Sequence, residues 1–386
     1  MQYSTTIKQQ ATSDKPTFCT LFNIGNEHLT KDVGLIPYGM SEFQGYNSFM
    51  ATYINGDYPN LEYTPGLGIK EVPRLSGDWV EDSCAWLAEN AKSIDVLNLY
   101  HLFHFPHFVE RSFKHAETYK KFNPSGKVYL KLDSCPVFGG RRPRAWMHPR
   151  AWRKLFRIGR LFDCISTELP ENVDKVAKTW SHKVIYVPNP LNPNEIRDYK
   201  PFSERQNVII TMGRLGTRQK ATEILLEAFA TISSQIPDWK LKLVGSISEN
   251  MNIASDFYAK YPDLSERVIF SDPIVNRDEV IELYRDSKIF AFPSRWESFG
   301  IALTEAMSHG CFAVTSDIFS SRSLTENFRF GLGSKVDDVE GLAKNLLYAC
   351  THKSEIEKLA IEGREATLKR CNIENICKSI AEGLGN

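Results

Sequence analysis

The stretch NVIITMGRLGTRQKATEILLEAFATI, Asn207–Ile232, opens with a continuous apolar run and passes through a glycine into a different rhythm. The run Asn207–Leu215 reads as a strand buried on both faces. From Lys220 to Gln235 the apolar residues Ile224, Leu225, Ala228, Phe229 and Ile232 recur at helical spacing. Working outward, the same alternation repeats. Strands are expected at Lys240–Gly245, Arg267–Ser271, Lys288–Pro293 and Cys311–Thr315. Helices are expected within Asn252–Lys260, and over Arg277–Asp286 and Ile301–His309. Alternating strands and helices argue for a parallel sheet covered on both faces, with ligands at the carboxyl ends of the strands.

The first half alternates less regularly. Thr17–Ile24, Ser93–Leu99, Lys127–Leu132, Cys164–Thr167 and Lys183–Val187 read as short strands of a second α/β domain. The Pro- and Asn-rich segment Asn189–Pro201 reads as a linker. Lys353–Leu384 reads as a closing amphipathic helical stretch. A length of 386 residues suits two domains, and 42% apolar residues suffice for two cores. Lys and Arg balance Asp and Glu at 47 each, so no global field draws in nucleic acid or membrane. Eight cysteines without CxxC spacing favour reduced thiols over a disulfide framework or a zinc site. The first residues, MQYSTTIKQQATSDKP, do not read as a signal peptide, and no apolar run reaches membrane-helix length.

A second stretch, ESFGIALTEAMSHG at Glu297–Gly310, carries two glutamates that invite reading as an acid–base pair. On one continuous helix, eight residues would separate them by about 12 Å of rise, too far for a shared sugar carbon. Ser298-Phe299-Gly300 reads instead as a loop, with a helix starting near Ile301. Glu297 then sits in the loop and Glu305 one turn into the helix. Free N–H groups at that helix start favour a bound anion. The layout suits a clamp for a sugar, a diol and a phosphate. It also fits a helix-terminal carboxylate beside a solvated one. Gly213-Arg214 ends the first strand of this domain, and Lys220 opens the next helix. Two cations there suit a diphosphate site, and they also fit an ordinary pair of surface cations.

Together, GRLGTRQKATEILLEAF and ESFGIALTEAMSHGCFAV resemble the retaining glycosyltransferases of family 4, over roughly residues 207–316. The resemblance implies an α/β GT-B fold, in which two Rossmann-like domains face a central cleft. It divides the chain into 1–195 for the acceptor, 196–365 for the donor, and 366–386 as a helix packing back on the first domain. It implies that Arg214 and Lys220 hold the donor diphosphate, that Glu297 binds sugar hydroxyls, and that Glu305 binds the ribose diol. Gly213, Ser298 and the backbone of Phe299, Gly300 and Ile301 complete the donor contacts. Ala221 stands where the family usually has glycine, Phe312 where it often has proline, and Asn189-Pro190 where Asn-Gly is usual.

In the first domain, Lys31–Met40 (KDVGLIPYGM) stands where the family carries a glycine-rich turn, with Gly34 as the nearest match. His101, His104 and His107 cluster after the strand in DVLNLYHLFHFPHF. Packed histidines explain that spacing better than a metal site does, and His101 is the candidate for cleft contact. Asp133 ends the strand in VYLKLDSCP, near where the resemblance places the reacting sugar. Arg141–Arg160 has eight basic residues and no acidic one. On a helical wheel Arg150, Arg153, Lys154, Arg157 and Arg160 face one way, and Trp152, Leu155, Phe156 and Phe162 the other. This is either a domain helix or a dock for an anionic membrane. No nucleic-acid reader motif accompanies it.

The expected reaction moves a sugar from a nucleotide diphosphate, UDP before GDP or dTDP, to an acceptor hydroxyl with retained configuration. The acceptor is expected to be a lipid-linked glycan in surface-polysaccharide synthesis. The enzyme would then be cytoplasmic, resting on the inner membrane face. There is no DxD motif, and neither a metal nor another cofactor is expected. An epimerase of the same fold and a non-catalytic binding subunit are the alternatives.

Overall fold

The two strand series form two separate parallel sheets, each wound with helices on both faces. The structure is a computed structural model that describes residues 15–101, 107–132, 160–180, 182–247 and 252–385. The first sheet contains β1 (Thr17–Leu21), β2 (Asn47–Thr52), β3 (Gly68–Glu71), β4 (Val96–His101), β5 (Lys127–Leu132), β6 (Cys164–Thr167) and β7 (Val184–Tyr186). Its order is β3-β2-β1-β4-β5-β6-β7. The second sheet contains β8 (Val208–Met212), β9 (Lys240–Val244), β10 (Val268–Ser271), β11 (Ile289–Phe292), β12 (Phe312–Ser316) and β13 (Gly331–Ser334), in the order β10-β9-β8-β11-β12-β13.

In the first domain the helices are α1 (Asp32–Gln44), α2 (Trp79–Asn90), α3 (His107–Phe122) and α4 (Pro170–Trp180). The second domain has α5 (Thr222–Ile232), α6 (Ile253–Lys260), α7 (Arg277–Asp286), α8 (Ile301–Ser308), α9 (Phe319–Leu324), α10 (Val339–Thr351) and α11 (Lys353–Arg370). A last helix, α12 (Ile373–Gly383), returns to the first domain and lies against α1. Among the described residues no helix is long and apolar enough to cross a membrane.

Strand periodicity distributes each sheet between two cores. In β8, Val208 and Ile210 face the layer holding Phe299, Leu303 and Met307, whereas Ile209 faces the layer of α5 and α10. In β5, Val128, Leu130 and Leu132 face the α2 and α3 side, and Tyr129 faces α1 and α12. Lys131, two residues after Tyr129, therefore lies on the α1 side. Ile373, Ile376, Cys377 and Ile380 of α12 are buried in that same first-domain layer.

The expected closing stretch is thus two helices. The break comes at Cys371 and Asn372, and the Asn372 side chain caps α12 by accepting a hydrogen bond from the Asn375 N–H. Cys371 and Cys377 are both buried free thiols.

Both sheets have a topological switch point. Chain order reverses between β1 and β4 in one and between β8 and β11 in the other. At such a point the connections leave in opposite directions and open a crevice beyond the strand ends. Phe22 and Tyr100 stand at the first switch, and Met212 and Gly213 at the second. All four line one cleft between the domains.

Candidate active site

The cleft has a volume of about 810 Å³, within the range of pockets that enclose small-molecule ligands. Arg214, Lys220, Glu297, Ser298, Phe299, Gly300, Ile301 and Glu305 line its second-domain wall together with Gly213. Sequence spacing put these residues on three separate elements, and the fold brings them to one surface.

Each is held by a local cause. Arg214 leaves the end of β8, and its guanidinium donates to Gln219 Oε1 at 2.7 Å. Gln219 is itself fixed, because its amide donates to the Trp296 carbonyl and its own carbonyl accepts from the Arg295 N–H. Lys220 precedes α5 and meets Glu297 at 2.6 Å. Ser294 donates to the same carboxylate oxygen at 2.8 Å. Ala221, between Lys220 and the helix, is fully buried with φ 46° and ψ 43°. That left-handed conformation is the one glycine adopts without steric cost, so an alanine there carries strain.

Gly300 caps α8 with φ 102° and ψ 55°. A side chain there would be strained, and a Cβ would come within 3.2 Å of the Phe292 ring. The glycine lets the Glu297–Phe299 loop enter the helix abruptly. Glu297 and Glu305 thus fall on opposite sides of the helix start. The first N–H groups of α8 have no partner within the helix. They lie on the chain between the two carboxylates.

Glu305 belongs to a network that sequence reading did not identify. Its carboxylate accepts from Arg277 Nη2 at 2.6 Å, and Tyr284 donates to it at 3.3 Å. Arg277 also meets Glu195 of the linker at 2.7 Å. Burial opposes charge on Arg277, but Glu305 and Glu195 outweigh it and hold the guanidinium above its ordinary range. Burial raises the Glu195 carboxyl, with Arg277 acting against it. Arg277 opens α7, after the end of β10. The strand-end rule that singled out Arg214 applies equally to this residue.

The first-domain wall is formed by the loop after β1, the start of α1, Tyr100 near the end of β4, and the chain after β6. The stretch compared with a glycine-rich turn, Lys31–Met40, forms the start of α1. Gly34 sits in the first turn of α1, does not line the cleft, and packs against the Leu29 backbone. A Cβ on Gly34 would stand 2.3 Å from the Leu29 carbonyl oxygen, so the glycine serves a close helix–loop contact. Thr30, Lys31, Asp32 and Val33 reach the cleft instead. His101 ends β4. Asp133, His104 and residues 141–159 of the basic segment lie outside the described residues.

A buried ionic group completes this wall. Lys131, fully buried, lies 3.2 Å from Asp32 and 3.6 Å from Glu168. It also donates to Asn189 Oδ1 at 2.6 Å. Glu168 follows the last residue of β6, and burial pushes its carboxyl up to about 6, with Lys131 the main opposing influence. Asp32, Glu168 and Asn189 all line the cleft. Asn189 stood out in the sequence only as a departure from the family pattern, and the grouping itself was not legible there because it joins α1, β5, β6 and the linker.

Residues 192–366 match the family described as glycosyl transferases group 1. The Bacillus subtilis uncharacterized glycosyltransferase YqgM is 30% identical over 152 residues, 39% of this chain and 40% of that protein. The lipopolysaccharide core biosynthesis mannosyltransferase LpsB of Rhizobium meliloti is 22% identical over 197 residues, 50% of this chain and 55% of that protein. The chain thus spans about half or less of the length of these curated relatives. Anabaena Alr3699/HepE, solved with UDP and glucose, superimposes with a TM-score of 0.70 at 15% identity, over 96% of this chain and 99% of that one. A Rickettsia africae glycosyltransferase structure gives a TM-score of 0.73 at 14% identity, over 96% and 98%. The fold is GT-B: two parallel α/β domains facing one cleft.

Proposed function

We propose that this chain, whose residues 192–366 match the glycosyl transferases group 1 family, transfers a sugar from a nucleoside diphosphate donor to an acceptor hydroxyl with retained configuration. The observation that carries this reading is the convergence of Arg214, Lys220, Glu297 and Glu305 on one interdomain cleft at a switch point. In this reading Arg214, Lys220 and the α8 N-terminus take the diphosphate. Glu297 takes sugar hydroxyls, and Glu305, aimed by Arg277 and Tyr284, takes the ribose diol. Negative charge gathers on the diphosphate as the glycosidic bond breaks, and preorganised cations meet it without solvent reorganisation. The acceptor attacks from the face the diphosphate leaves, and a donor phosphate oxygen takes its proton. Neither a protein base nor a metal is assigned a step, consistent with a sequence that lacks DxD. Closure of the two domains would exclude water from the activated donor.

UDP is the first assignment for the nucleotide, supported by the UDP complex of the HepE structure. A thermal-shift panel of UDP, GDP, dTDP and their sugar conjugates tests it. One nucleotide is expected to stabilise the wild type selectively, by about 3 kcal/mol at a hundredfold excess over its dissociation constant. Glu305→Ala is expected to weaken that effect. A folded wild type that responds to none of them would overturn the donor reading.

For the acceptor we propose a lipid-linked glycan at a membrane surface. The naming of LpsB as a lipopolysaccharide core enzyme supports this, as does the basic segment Arg141–Arg160. Sedimentation with anionic liposomes is expected to be lost when Arg150, Arg153, Arg157 and Arg160 are all replaced by Gln. Unchanged sedimentation would remove the membrane from the proposal.

A further inference from the structure

We propose that Lys31 and Thr30 form a phosphate subsite on the first-domain wall, for a phosphate group carried by the acceptor. The proposal rests on the donor reading above and narrows the chemistry of the acceptor.

The charges along the cleft carry the inference. Among the described residues, the Lys and Arg side chains that line it are Lys31, Arg214, Lys220 and Arg277. Lys220 pairs with Glu297, and Arg277 with Glu195 and Glu305. The other two meet no carboxylate among the described residues. Arg214 donates to the neutral Gln219 amide, and the Lys31 ammonium has no partner. The cleft therefore offers one uncompensated cation on each wall. The acidic neighbours of Lys31 are engaged elsewhere. Asp32 lies 3.2 Å from Lys131, and Glu27 meets His28 with its own side chain 63% exposed, where water screens its charge.

Thr30 adds an uncharged donor. It is 6% exposed and lines the cleft beside Lys31. Its hydroxyl has no hydrogen-bond partner among the described residues and is not sealed from solvent. An unmade hydrogen bond at so buried a residue is costly, and a ligand oxygen would complete it. Thr30 and Lys31 lead directly into α1, a helix of 13 residues whose first N–H groups lack partners within the helix. An ammonium, a hydroxyl and a helix N-terminus together match the several oxygens of a tetrahedral phosphate.

Position assigns that phosphate to the acceptor. The donor reading already gives the diphosphate Arg214, Lys220 and the α8 N-terminus, all on the second-domain wall. The wall that carries Lys31 also carries Asn26, His28 and Asn60. Burial lowers the His28 pKa, so its imidazole is neutral at pH 7. Neutral amides and an imidazole suit sugar hydroxyls, and Lys31 suits a phosphate on the same molecule.

The test is calorimetric titration of wild type and Lys31→Gln, each saturated with whichever of UDP, GDP and dTDP binds. The probes are inorganic phosphate, glucose 1-phosphate, and decyl phosphate in neutral micelles. Saturable binding of phosphate to the wild type is expected, weakened about tenfold or more in the variant, the usual scale for a charged hydrogen bond. Thr30→Val, which keeps the shape and removes the hydroxyl, is expected to give a smaller loss. Tighter binding of glucose 1-phosphate than of decyl phosphate would assign a free sugar phosphate, and the reverse a lipid phosphate. Nucleotide affinity is expected to be equal in wild type and Lys31→Gln. A tenfold fall in that affinity would place Lys31 on the donor and overturn the acceptor subsite. Phosphate binding that is absent, or equal in the two proteins, would overturn the subsite and leave the donor reading standing. A wild type that binds no nucleotide would overturn both.

Discussion

Lys220→Ala is expected to lower kcat by about 10²–10³-fold, the typical loss of one preorganised charge-stabilising partner, or roughly 3–4 kcal/mol of barrier. The Lys220 ammonium is paired with the Glu297 carboxylate at 2.6 Å, and the reading proposed above gives it the donor diphosphate. In the proposed transition state it faces oxygens that are gaining charge, so its contribution grows as the bond breaks. That difference acts on kcat more than on KM. The alanine variant also leaves Glu297 with Ser294 as its remaining partner and places an uncompensated carboxylate near the sugar. A cycle with Glu297→Gln separates the two effects. If Lys220 acts on the diphosphate, most of its loss persists in the Glu297→Gln background. A loss below tenfold in steady-state turnover would remove Lys220 from the machinery.

The largest effect on stability is expected from Lys131→Met. This replacement keeps bulk but leaves Asp32 and Glu168 buried without their shared cation. Removing one partner of a buried ion pair costs about 3–5 kcal/mol, since the other is left uncompensated. The loss should appear at pH 7 in denaturant unfolding of the first domain. It should shrink in acid, and the sign follows from Glu168. Its folded carboxyl lies at about 6, above the ordinary 4.5, so the folded state takes up a proton as pH falls through that range. Without Lys131 that carboxyl rises further. Protonation then relieves the variant more than the wild type, and the gap between them narrows from pH 7 toward pH 5. A gap independent of pH would mean that packing, rather than uncompensated charge, sets the cost.

The second domain was nearly complete in the sequence because its strands are apolar on both faces and end in recognisable punctuation. Gly213 and Gly300 marked the turns, and the charged residues beside them proved to line one cleft. β13 escaped notice because Gly331–Ser334 is half glycine and carries little strand propensity. β2 and β3 escaped for related reasons. One starts at an exposed asparagine, and the other is a short edge strand with two exposed charges. Gly34 shows the limit of matching a glycine to an expected turn. Its local sequence is equally that of a helix pressed onto a loop, and the contact that decides between them is tertiary. The Arg277–Glu305 and Lys131–Glu168 pairs are likewise tertiary facts. Their members lie 28 and 37 positions apart, and nothing in either neighbourhood names the other.

The return of α12 to the first domain means that the chain passes between domains twice, at the linker and again at Cys371–Asn372. These two passages touch, with the Leu191 N–H donating to the Cys371 carbonyl at 2.9 Å. A body tethered at one point can swivel in three ways. Pinned at two, it keeps a single rotation, about the line joining the pins. The paired passages thus resemble the two knuckles of a door hinge. They favour swinging over twisting, so the Glu297 loop would meet the Glu168 wall in the same register each time the cleft shuts.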